Sequence, residues 1–411
     1  MPASISIPDV AGAAAESFDL ICACATTQPN SVQRAWIANF NWNQFDTAKL
    51  LDEAEIHGLL PLVAENLGRY ARNLPEVFDQ ALAKGSAENC RRNLWFGAEL
   101  SRIASHLAAS NIEVIAFKGP MLAQTAYGDL ALRSFSDLDF LVRPGDLERA
   151  RQALAELGYT PSENWTASVE RFWLKYGYEQ SFDGVKSRHL IELQWSIVPR
   201  LFAFDLRRAE FRIEDLFDRS TIQPLGWDPV HAIRALSPED SLLMLCLHAA
   251  KHLWTRLGWV VDIAETLRRD RIDCALVVQR ARQLGAARIT GVGLTLARNL
   301  LACDIPEGLD LLLEPAQVQT MAAEYGERLR EGAGYNFDSP DYFKRVLRLR
   351  ERAKDKLRFA FRLLWTPGPN DLKVVSLPEP LFPLYRAIRL GRLVRRIVRM
   401  GSSRPFVNPK V

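Results

Sequence analysis

Apolar positions recur every three or four residues in "TAKLLDEAEIHGLLPLVAENLGRYA" and again in "AENCRRNLWFGAELSRIASHLAAS". That spacing predicts a helical first hundred residues, with Asn111 as the stop after the second long helix. The texture then changes. "IEVIAF" (112–117) is a short β-branched and aromatic run and reads as a buried strand. A short helix is expected in "MLAQTAYGD", with Pro120 suited to a first helical position. "SDLDFLV" is the next strand, and "RPGDLERARQALAELGY" a turn and an amphipathic helix whose apolar face is Leu147, Ala150, Leu154 and Leu157. "YGYEQSFDGV" followed by "SRHLIELQWSIV" predicts a hairpin around Asp183-Gly184. From "SPEDSLLMLCLHAAKHLW" onward the period is helical again, with Ser237 as N-cap and Pro238 at the first helical position. The expected class is α+β: a small mixed-sheet core with N-terminal and C-terminal helical regions. The expected division is 1–95 helical, 96–230 core, 231–330 a helical domain over the cleft, and 331–411 a basic helical extension punctuated by proline.

Two acids break the apolar pattern of the second strand. Side chains two apart in a strand share a face, so Asp137 and Asp139 project together while Leu138 and Phe140 point into a core. Like charges so placed require either a shared proton or a cation. Paired carboxylates suit an oxygen-seeking divalent ion, Mg2+ or Mn2+. Glu192 in "HLIELQW" is the candidate third acid, with Ile191, Leu193 and Trp195 facing the core. Just upstream, "FKGP" lies between a strand and a helix. Gly119 there admits a phosphate to the backbone, and Lys118 adds a cation. Arg133 offers a bidentate phosphate clamp. With Ser136 these three make the candidate nucleotide-binding set.

The chain of 411 residues carries a net charge of +3, so bulk charge announces no nucleic-acid binder. The N-terminus has neither a basic region nor a long apolar core, and no run of eighteen apolar residues exists. No signal peptide and no spanning helix are expected. Cys22, Cys24, Cys90, Cys246, Cys274 and Cys303 are scattered, which favours reduced thiols in a cytoplasmic protein.

Strand, Lys-Gly turn, short helix and acidic strand together resemble the DNA polymerase β-like nucleotidyltransferases. More closely, "IEVIAFKGPMLAQTAYGDLALRSFSDLDFLV" is similar to a bacterial family of nucleotidyltransferases in that superfamily. The likeness extends to "DTAKLLDEAEIHGLLPLVAENL" upstream, and to "IELQWSI" and "LLMLCLHAAKHLWTRLGWVVDIAETL" downstream. It implies that Gly119 holds nucleotide phosphates, that Asp137 and Asp139 bind metal, and that Glu192 helps to activate the incoming hydroxyl. It further implies transfer of a nucleoside monophosphate from an NTP, with ATP the expected donor, to an acceptor on a small molecule, peptide, protein or RNA. The chain departs from the pattern at Gly119-Pro120, in the longer spacing from Gly119 to Asp137, and at Gln194, where relatives often carry histidine.

Other features stand beside this reading. His248 and His252 are one turn apart, but no glutamate follows His248, so packing or cleft lining fits better than zinc. In the similar nucleotidyltransferases a helical domain closes over the base, which makes Lys251, Trp254 and Asp262 candidates to face the nucleotide. "RLRERAKDKLRFAFRLLW" and "LYRAIRLGRLVRRIVRM" are basic and amphipathic. They are solvated faces of docked helices, or contacts to RNA or an anionic surface. Two rival functions share the D-x-D: a glycosyltransferase, and a non-catalytic nucleotide-binding or scaffold protein.

Overall fold

The computed structural model describes residues 13–400 apart from 185–189, 200, 201, 203, 205, 207–209, 270, 333, 335, 337 and 338. It is α+β, a seven-stranded mixed sheet with helical regions at both ends. Five helices come first: α1 (Ala13–Cys24), α2 (Ser31–Ala38), α3 (Thr47–Ile56), α4 (Leu60–Tyr70) and the long α5 (Glu76–Ala109). The periodic run 47–71 is therefore two helices. Gly58 at φ +71° breaks it, a conformation open to glycine at little cost. Asn111 follows α5 at φ +53°, the left-handed stop its side chain tolerates.

The core then runs β1 (Val114–Ala116), α6 (Gly119–Leu122) with a π turn (Ala123–Tyr127), β2 (Asp137–Val142), α7 (Leu147–Glu156), β3 (Tyr159–Pro161), α8 (Ala167–Tyr176), β4 (Glu179–Gly184) and β5 (Leu190–Gln194). β4 and β5 pair antiparallel as expected, but Asp183 and Gly184 are the last residues of β4, paired with Leu190 and Tyr159, so the turn comes after them, at residues outside the described ones. After α9 (Ile213–Arg219), a second hairpin, β6 (Thr221–Leu225) and β7 (Asp228–Ala235), joins the sheet. The sequence pattern there does not suggest strands, because β7 exposes six of its eight residues in part or in full and carries no apolar stripe. The sheet thus runs to Ala235, past the boundary drawn at 230. Its order is β3-β4-β5-β2-β1-β7-β6.

A helical domain follows: α10 (Pro238–Lys251), α11 (Leu257–Arg269), α12 (Cys274–Leu284), α13 (Ala287–Leu301), α14 (Asp310–Leu313) and α15 (Ala316–Arg330). Ser237 caps α10, accepting from the Asp240 N–H at 3.2 Å. The extension comprises α16 (Pro340–Arg348), α17 (Ala353–Trp365), α18 (Pro369–Leu372) and α19 (Leu384–Met400).

The two faces of the sheet belong to two different cores. Val114, Ala116, Leu138, Phe140, Ile191 and Leu193 pack beneath the sheet against α5 and α7. Ile115, Phe117 and Leu141, on the alternate positions, join a second core built from α1–α4 and α10–α15. The helices at the start of the chain and those after the sheet are therefore one packed layer, although some 170 residues separate them in sequence. Specific bonds stitch it: His57 Nδ1 accepts from the Leu257 N–H at 3.2 Å, and the Thr27 N–H donates to Glu265 at 3.3 Å.

Candidate active site

The D-x-D of β2 emerges on the upper face of the sheet, where that helical layer stands off and leaves a cavity of about 320 Å³. β2 and β5 run parallel in a register that sets Asp139 beside Glu192. Period-two alternation puts Asp137, Asp139, Glu192 and Gln194 on this face and buries Leu138, Phe140, Ile191, Leu193 and Trp195 on the other, as expected.

Lys118 comes in from the end of β1. Its Nζ donates to Asp139 Oδ1 at 2.6 Å, with side chains only 12% and 0% exposed. Gln194 Nε2 donates to Asp139 Oδ1 at 3.3 Å and to Glu192 Oε2 at 3.2 Å, bridging two acids. The other oxygen of Asp139, Oδ2, is buried without a partner. Three acids thus share one ammonium. Burial raises Asp137 to about 6, helped by repulsion from Asp139 and opposed by Lys118 and Arg133. Burial and Asp139 raise Glu192 to about 8. Burial alone would lower Lys118, but Asp139, Glu192 and Asp137 together hold it above its ordinary value.

Gly119 plays a packing role that sequence reasoning did not assign. It is buried at φ +52°, and a Cβ there would stand 2.8 Å from the Asp137 carbonyl oxygen. The turn presses directly on the acidic strand, so only glycine fits, and Gly119 does not line the cavity. Ser136 does line it.

Arg133 lines the cavity, but its fork is held from the side. Nε and Nη2 donate to the two oxygens of Asp262 on α11 at 2.8 and 2.9 Å, and Tyr127 Oη donates to the same carboxylate at 2.6 Å. Only Nη1 is buried and without a partner. Asp262 is therefore the residue that orients Arg133 and does not face the cavity. Trp254 is fully buried against Tyr325 and does not reach the cavity either. Of the three helical-domain candidates only Lys251 lines it, its Nζ donating to Tyr178 Oη at 2.9 Å.

The facing wall is aromatic and cationic. His248, His252 and Trp259 cluster with ring centroids 4.8–5.5 Å apart, and Arg256 stands beside them. Burial, then the nearby ammonium and guanidinium groups, lower both histidines, His252 to about 3, so both are neutral imidazoles at pH 7. Tyr178, Glu179, Arg256 and Trp259 were missed in the sequence, since each lies in an ordinary amphipathic pattern and only the fold brings them to one cavity.

The chemistry of the acids fits a divalent cation. The site has more carboxylate than ammonium, and a buried carboxylate oxygen has no partner. Among the described residues no three His, Cys, Asp or Glu side chains form a metal-holding group by themselves. All six cysteines are free, and none of them lines the cavity.

Comparison with known proteins adds one finding. A family model described as "Uncharacterised nucleotidyltransferase" matches residues 43–302. No curated protein and no solved structure matches the chain.

Proposed function

Because this chain belongs to the family of uncharacterised nucleotidyltransferases, we propose that its cavity transfers a nucleoside monophosphate from an NTP, ATP first among candidates, to a hydroxyl acceptor. The oxygen of the acceptor attacks the α-phosphorus, a P–O bond forms, the α–β phosphoanhydride breaks, and pyrophosphate leaves with the electron pair. Asp137 and Asp139 would hold Mg2+ or Mn2+. When bound, the metal neutralises phosphate charge and stabilises the leaving group. Glu192 sits next to them and would take the proton of the acceptor hydroxyl. Arg133 Nη1, Lys251 and Arg256 supply positive charge toward the phosphates, and Asp262 and Tyr127 keep the Arg133 fork from swinging.

One observation supports this reading: Asp137 and Glu192 line one cavity of about 320 Å³, and Asp139, buried behind them beside Glu192, keeps an oxygen without a partner. The test is pyrophosphate release from each NTP with Mg2+ and a cell extract, followed by identification of the labelled acceptor. Asp137→Asn should lower release by about 100-fold or more, since a metal ligand is lost while repulsion within the fold is relieved. Full activity in that variant would sink the assignment.

A specific observation favours a second reading. The Lys118 ammonium already contacts Asp139, where a metal would draw charge. A site neutralised from within binds nucleotide without turnover. NTP binding that is indifferent to Mg2+, with no pyrophosphate from any acceptor, would select it. Sugar transfer from a nucleotide sugar would select the glycosyltransferase instead.

A further inference from the structure

The C-terminal extension carries a surface that the nucleotidyl-transfer site does not use. α17 docks through Phe359, 1% exposed. On its opposite side Leu357, Phe361 and Leu364 recur at i, i+4 and i+7, exposed by 73%, 62% and 49%, with Trp365 beside them. The Phe361 and Trp365 rings stack at 6.0 Å, and Arg386 of α19 stands 5.3 Å over the Trp365 ring. The exposed residues of α17 are Ala353, Lys354, Lys356, Leu357, Phe361, Leu364 and Trp365. Those of α19, over its described side chains, are Leu384, Arg386, Ala387, Leu390, Gly391, Val394 and Arg395. Every one is apolar or cationic.

That selection is not what a solvated face needs. A solvated helix mixes acids and neutral polar residues with its cations. Here the acids of α17 and α18 are withdrawn, and Glu379, between α17 and α19, is the one acid of the segment left exposed. Asp371 is buried, holding Arg389 at 2.9 Å and Arg392 at 2.5 Å, and Asp355 is buried under α17. Residues 353–395 hold nine Lys or Arg against three Asp or Glu, and 396–411 add Arg396, Arg399, Arg404 and Lys410 with no acid. No described helix is long and apolar enough to cross a membrane.

We propose that α17 and α19 form an interfacial docking surface for an anionic lipid bilayer. Leu357, Phe361, Leu364 and Trp365 enter the headgroup boundary, and Lys354, Lys356, Arg386 and Arg395 meet the lipid phosphates. Apolar side chains amid cations are what such a surface selects. A nucleic-acid face would set polar donors and stacking rings against phosphates and would leave Leu357 and Leu364 against charge.

Flotation of the full chain with vesicles tests this. The protein should float with phosphatidylcholine vesicles containing phosphatidylglycerol and stay behind with phosphatidylcholine alone. Binding should weaken as salt rises. Leu357→Ser with Phe361→Ser should weaken binding about tenfold or more, and Lys354→Glu with Lys356→Glu should do the same through charge. These positions are exposed, so circular-dichroism melting should be unchanged. Failure to float at physiological salt, or binding that the Ser pair leaves intact, overturns the proposal. So does single-stranded RNA bound in place of vesicles, or a dimer that the Ser pair dissolves while vesicles are ignored.

Discussion

Lys118→Met probes the site most sharply, because it removes one charge from a buried pair and leaves the shape. The pair is close, 2.6 Å, and almost dry, with side chains 12% and 0% exposed. At an effective dielectric of about 20 the attraction at that distance is roughly 6 kcal/mol. Desolvating the two ions costs several kcal/mol each, so the intact pair is near neutral for stability. Deleting one partner is a different matter. Asp139 would keep only the Gln194 amide at 3.3 Å on one oxygen and nothing on the other. An uncompensated buried carboxylate costs about 3–5 kcal/mol, a fall in Tm of roughly 3–6 °C in a chain of this size. Adding Asp139→Asn removes the orphan charge and should recover most of that loss. Thermal melting by circular dichroism at pH 8 reads all four members of the cycle. Excess Mg2+ should raise the Tm of Lys118→Met more than that of the wild type, since the cation restores the missing charge. A single variant melting within about 1 °C of wild type, or a double variant no better than the single, refutes the reasoning.

Three further outcomes follow from the same geometry. Arg133→Lys replaces a two-point fork on Asp262 by a single ammonium and should lower Tm by the equivalent of about 1–3 kcal/mol, with weaker NTP binding measured by calorimetry. His57 is buried and is held neutral, its pKa lowered to about 4 by burial and by Arg256. The unfolded chain therefore takes up the proton first. Stability present above pH 6.5 is lost as pH falls toward 4, by roughly 3 kcal/mol, and a Tm–pH curve for His57→Asn should lack that limb. Glu192 is raised from 4.5 to about 8, which reverses the sign: its contribution is full below pH 4.5 and is lost as pH rises through 8. Metal-free Glu192→Gln should then melt above wild type at pH 9 and level with it at pH 4.

The acidic strand was legible because a period of two fixes which side chains share a face, and the flanking leucines and phenylalanine say which face is buried. Glu192 was legible for the same reason. What the sequence could not carry was pairing across the chain. Nothing near Lys118 says that its ammonium stops at Asp139, and nothing near Arg133 says that Asp262 and Tyr127 take its fork. Trp254 was a candidate to face the nucleotide, but the turn after α10, with Leu253 and Trp254 at positive φ, carries it into the core against Tyr325. The β6–β7 hairpin escaped notice because an exposed edge pair carries no apolar alternation. The early helices gave no local hint that their apolar faces meet α10–α13 as well as one another.

That shared helical layer separates two notions of a module. Kinship is visible over residues 43–302, yet α1 begins at Ala13 and buries Phe18, Leu20 and Ile21 among the helices of that stretch. Asp19 is tied to Arg330 at 2.7 Å, so the two flanks clasp each other outside the matched span. A gene fragment cut at the limits of recognisable ancestry would expose the apolar roof of its own cavity. In this lineage the segment that records descent is shorter than the segment that can stand alone, and any graft of the site into another protein has to carry both flanks with it.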